Sequence, residues 1–147
     1  IISSTTNSLT RTKLNAGHAQ GYILQPTNSN DHVLKKQFDL SGLNFSHVKI
    51  LVTYHFLDSW DYERAFICMQ QSLTDGPINL WNVRHEAGNV GGYASSYNGN
   101  SDEDTHYTAT MHIKPTGSDF YLVIGSNLNQ SVSDETYAID DVEIWVR

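Results

Sequence analysis

Cys68 is the only cysteine in a chain of 147 residues, so no disulfide can close within it. Its place in the apolar run 65–69 predicts a buried, inert thiol. No apolar stretch approaches the roughly 18 residues that a membrane-spanning helix needs. Basic residues are few, nine against sixteen acidic, and they are scattered. A net charge of −7 therefore argues against nucleic acid, whose phosphates require a clustered Lys/Arg surface. Charged residues make up 17% of the chain, and Asn, Ser, Thr and Gly fill the space they leave. That composition is rich in turns and commoner outside cells than in the cytosol. Catalytic signatures are missing as well. Seven histidines show no HExxH spacing, and there is no Gly-x-Ser-x-Gly, phosphate loop or dinucleotide fingerprint, so the chain reads as a non-enzyme. His55 and His112 are expected on the outer face of strands, where a surface histidine is the default.

What the chain does have is alternation. Val48, Ile50, Val52, Tyr54 and Phe56 interleave with Lys49, Leu51, Thr53 and His55, the period of a strand with one buried face. Similar runs occur near 22–24, 33–40, 65–69, 78–83, 107–113, 120–124 and 138–146. They are separated by turn chemistry such as Ser41-Gly42, Thr74-Asp75-Gly76-Pro77 and Pro115-Thr116-Gly117-Ser118. About eight strands without helical periodicity predict one antiparallel β-sandwich over 21–147, of jelly-roll or immunoglobulin-like kind. From 84 to 104 the alternation lapses into a long Gly- and Asn-rich loop carrying Tyr93 and Tyr97.

Residues 1–20 hold too little apolar surface to fold alone. They read either as a disordered arm or as an extended one, with Ile2, Leu9 and Leu14 entering pockets on a neighbouring copy by strand addition. The second reading makes the chain a self-assembling subunit of a surface filament or coat.

Carboxylates gather in two places. Asp58, Asp61 and Glu63 surround Trp60, and Asp134, Glu135 and Asp140 lie near the C-terminus. Like charges so close require compensation, and Ca2+ takes six to eight oxygen ligands without strict geometry. The two segments are expected to meet and hold such an ion. The alternative is pairing with Arg64, Arg84 or lysines. A third acidic run, 102–104, reads as a solvated loop. A carbohydrate-binding role is the other function to weigh, with Trp81, Tyr93 and Tyr97 as ring-stacking platforms and Trp60, Trp145 and Tyr107 as further candidates. Trp145 is out of phase with Val142, Ile144 and Val146, so it is expected to be exposed or to face a partner. Asn44-Phe45-Ser46 and Asn129-Gln130-Ser131 are glycosylation sequons in expected turns.

The runs Phe38-Asp39-Leu40-Ser41-Gly42-Leu43, His47-Val48, Asp58-Ser59-Trp60-Asp61-Tyr62-Glu63 and Asp134-Glu135-Thr136-Tyr137-Ala138-Ile139-Asp140-Asp141-Val142 resemble an extracellular module. It is found in ciliates, other protists and some large bacterial surface proteins, and carries an Asp-Ser-Trp-Asp-Gly-Glu signature. The resemblance spans about 34–147. It implies a secreted or cell-surface β-sandwich and favours the jelly roll. This chain departs from the pattern at Tyr62, where Gly or Asn is commoner, and at Gly91-Gly92, where relatives often carry Cys-Gly.

Overall fold

The structure is a computed structural model and describes residues 9–13, 22–26, 33–58, 60–86, 105–131 and 135–147. Among these, every regular element is a strand: β1 (Leu9–Lys13), β2 (Tyr22–Pro26), β3 (Val33–Asp39), β4 (Val48–Asp58), β5 (Asp61–Gln70), β6 (Ile78–Glu86), β7 (Thr105–Ile113), β8 (Asp119–Ser126) and β9 (Glu135–Val146). Eight of the nine fall where the alternation places them. The ninth, β1, comes from the segment read as an arm, and it pairs with the chain's own β2. Ile2 and Leu14 lie outside the described residues.

The strands form two antiparallel sheets, β1-β2-β9-β4-β7 and β3-β8-β5-β6. With β1 set aside, eight strands in the orders β2-β9-β4-β7 and β3-β8-β5-β6 make the double-sheet jelly roll. The immunoglobulin-like alternative is thereby excluded. No helix among the described residues is long and apolar enough to cross a membrane.

Alternation places the core. Val48, Ile50, Val52, Tyr54 and Phe56 of β4 face Ala65, Ile67 and Met69 of β5 and Phe120, Leu122 and Ile124 of β8. Burying each large apolar side chain stabilises the fold by about 1.5–3 kcal/mol. Tyr54 is wholly buried, and its hydroxyl donates to the Gly125 carbonyl of the opposite sheet at 3.2 Å. Burial, aided by neighbouring Tyr137, pushes its pKa well above the ordinary tyrosine value. At the β3–β4 turn, Leu43 N donates to Leu40 O at 3.0 Å, and Gly42 takes the φ of +82° that the third residue of such a turn demands.

Two departures from simple alternation matter. The β4–β9 register shifts between Leu51 and Thr53, and Asp141 sits there in the left-handed region, a β-bulge. It changes which residues of β9 point inward: Tyr137 and Ile139 before it, Val142 and Ile144 after it. Secondly, His55 lies on the outer face of β4 yet is only 2% exposed, so the surface expected for it is wrong; Leu57 beside it is buried too. His112 is exposed as expected. Cys68 is half-buried, and burial raises its thiol pKa, which keeps it a weak nucleophile.

Candidate functional site

The acidic segments meet at one end of the sandwich. Asp58 stands opposite Glu135 in the β4–β9 ladder, and the buried Trp60 indole donates to Thr136 O at 2.7 Å. The carboxylates belong to strand ends rather than to a loose connection. Glu63 is in phase with Ala65, Ile67 and Met69 on the inner face of β5, and Glu135 is in phase with Tyr137 and Ile139 on that of β9. Each sheet thus aims one glutamate into the top of the core. Glu63 is 6% exposed and Glu135 1%, while Asp61 is open to solvent. One carboxylate oxygen from each of the three lies within 4.8 Å of the others.

Backbone irregularity makes this placement possible. The β5–β6 register shifts between Asp61 and Arg64, and Tyr62 adopts a φ of 87° there. A bulky residue with positive φ is uncommon and costs about 1–2 kcal/mol. Around it, Asp61 N donates to Glu63 Oε2 at 2.8 Å, Asn129 Nδ2 to Glu63 Oε1 at 3.3 Å, and Gln130 N to Glu135 Oε1 at 3.1 Å. The two arginines that were the alternative to a cation turn elsewhere. Arg64 Nη1 donates to Asn82 Oδ1 at 2.9 Å, and Arg84 donates to Tyr62 O at 3.0 Å with its guanidinium over the Tyr62 ring. Burial first, then the charge of Glu63, pushes the pKa of Glu135 up to about 7, and burial likewise raises that of Glu63.

Asp140 does not join this group. It stands opposite Thr53, five residues along β9 from Glu135 and so roughly 17 Å away at about 3.3 Å per residue. Its pKa is raised mainly by burial, and its Oδ1 accepts from Asp141 N at 2.8 Å. Asp134 and the Asp58 side chain lie outside what the structure describes.

A second feature runs from core to surface. The Tyr137 and Tyr54 rings stack at 5.2 Å, Tyr54 meets Trp81 at 5.7 Å, and Trp81 stacks on Tyr107 at 5.6 Å with the planes 23° apart. Trp81 and Tyr107 belong to β6 and β7, the edge strands of the two sheets on one side of the sandwich. Trp81 is half-buried between neighbours, so it braces the ladder, and the ring presented to solvent is Tyr107, 55% exposed. Tyr107, one of the aromatic candidates of the sequence, alternates with Ala109, Met111 and Ile113, but on an edge strand, where an inward position reaches the rim.

One solved structure, TmCBM61 in complex with beta-1,4-galactotriose, is similar to this chain with a TM-score of 0.55 and 12% identity over 100% of this chain and 88% of that one. The likeness shows the fold. No protein-family model matches the sequence, and no curated protein matches it.

The remaining candidates are dispersed. Tyr93 and Tyr97 lie outside the described residues. Trp60 is buried, and Trp145 is 59% exposed on the outer face of β9 beside Lys49, its indole donating to Glu143 at 2.8 Å. Asn44 is exposed on the β3–β4 connection. Asn129 is exposed too, but its amide nitrogen is the group that donates to Glu63.

Proposed function

We propose that the chain is a non-catalytic extracellular carbohydrate-binding module. The observation that carries this reading is the Tyr107 ring, 55% exposed and held against Trp81 at the rim of the jelly roll. A braced aromatic ring offers a large apolar face at little entropic cost, which suits the C–H face of a pyranose. The fold shared with TmCBM61, whose structure holds beta-1,4-galactotriose, supports the class of ligand and supplies a first probe. Calorimetry with β-1,4-linked galacto-oligosaccharides, backed by a glycan array, tests it. Tyr107→Ala is expected to weaken binding about thirtyfold, the loss of a hot-spot aromatic, while Trp145→Ala leaves it unchanged. Wild-type protein that binds no glycan, or a Tyr107→Ala variant that binds as well as wild type, would defeat the reading.

Self-assembly into a surface filament or coat is a second reading, supported by one observation. β1 ends its sheet, and among the described residues nothing pairs with its outer side. An open edge of that kind accepts another strand.

A further inference from the structure

We propose that Asp61, Glu63 and Glu135 bind one Ca2+, which ties the two sheets together at this end of the sandwich. The cluster alone would not carry this; the decisive observation is Glu135. Its side chain is 1% exposed, yet Oε2 accepts no hydrogen bond although it is shut away from water. A buried carboxylate oxygen without a donor is costly, and this one belongs to a carboxylate that lies within 4.8 Å of two others. Oε1 is already taken by Gln130 N, and Oε2 is left without a donor in a carboxylate that stands beside two others. Arg64 and Arg84, the basic side chains nearest in the strands, are engaged with Asn82 and the Tyr62 carbonyl instead. A cation supplies what is missing.

The donor set selects the ion. All three side chains offer hard oxygen, with no histidine or cysteine in the group, which disfavours zinc and copper. Two oxygens on opposite sides of one Ca2+, each at about 2.3–2.6 Å, stand about 5 Å apart, so one ion spans the cluster. Mg2+ binds at about 2.0–2.1 Å, insists on an octahedron and holds its waters, a poor match to donors set by three separate stretches of backbone. An ion here would join the start of β5, the start of β9 and, through Asn129 and Gln130, the β8–β9 connection. A proton shared between the glutamates would relieve the same repulsion, and it predicts no response to Ca2+.

The experiment uses the full chain stripped with a chelator. Thermal unfolding should shift upward on adding Ca2+, further with each tenfold rise above Kd, because the ion binds only the folded state. Mg2+ should have a weaker effect. Tb3+ should show emission sensitised by Trp60, whose chain neighbour is Asp61 and whose indole is fixed on Thr136, and Ca2+ should displace it. Asp61→Asn, at an exposed position that does not threaten folding, and Glu135→Gln should each weaken Ca2+ binding about tenfold or more. Asp75→Asn, on a distant turn, should not. Wild-type protein showing neither shift nor emission up to about 10 mM Ca2+, beyond the range of extracellular calcium modules, would overturn the proposal. So would Asp61→Asn responding like wild type, and an equal response to Mg2+ would overturn the choice of ion.

Discussion

At the scale of single residues, the clearest cost is at Tyr62, whose φ of 87° aims Glu63 inward while leaving its own ring over Arg84. A left-handed conformation costs an L-residue about 1–2 kcal/mol, and an exposed cation–π contact returns about 0.5–1. Tyr62→Gly should therefore gain up to about 1 kcal/mol, whereas Tyr62→Ala loses the ring and keeps the strain. Denaturant titration should rank Gly above Ala by about 1 kcal/mol, the reverse of the usual order in a strand. Ala at or above Gly would mean that the bulge does not need its positive φ. Glu135 gives a second, independent expectation. Its folded pKa of about 7 exceeds the ordinary 4.5, so in chelator the native state holds the proton more tightly than the unfolded chain does. Stability should then fall as pH rises from about 4.5 to 7, with the loss complete above 7. Glu135→Gln should flatten that slope, and a wild-type profile already flat would remove this account of the buried carboxyl.

At the scale of elements, the strands were legible because their period of two survives from end to end. Lengths were less so: β4 and β5 continue to Asp58 and Asp61, since backbone pairing runs past the last apolar residue. The phase of Glu63 with Ala65, and of Glu135 with Tyr137, was visible, but a carboxylate at an inward position reads as the end of a strand until a partner sheet is placed over it. Pairing across sheets, which brings Glu63 to Glu135, is a property of topology that no local pattern carries. Trp81 shows the same limit from the other side. As an aromatic on a strand it suited either platform or core, and only the position of β6 against β7 makes it the support and Tyr107 the exposed ring. The bulge at Asp141 hid the inward side of β9 by reversing its phase, so one alternation fits 135–139 and another 142–146. His55 was misplaced because outer-face alternation says nothing about what lies over that face.

The whole molecule poses the question of its edges. A sandwich leaves unpaired backbone groups at the rim of each sheet, which proteins cover, blunt or use. Here β1 covers the edge of β2 through five paired positions, from Leu9 opposite Pro26 to Lys13 opposite Tyr22, and presents a new edge in turn. The eight strands of the jelly roll, β2-β9-β4-β7 and β3-β8-β5-β6, are all present without that extra strand. Deleting residues 1–20 should therefore leave a folded domain. It should be less stable by a few kcal/mol at most, at about 0.5–1.5 kcal/mol for each ladder hydrogen bond removed. Its effect on association separates the uses of the edge. If identical copies join by strand addition through this segment, the contact is heterologous and propagates into a ring or filament, and the shortened chain should sediment as a monomer where the full chain does not. A full chain that is already monomeric at high concentration would end the self-assembly reading. Assembly that survives the deletion would move it to another edge and leave β1 as the strand that closes this one.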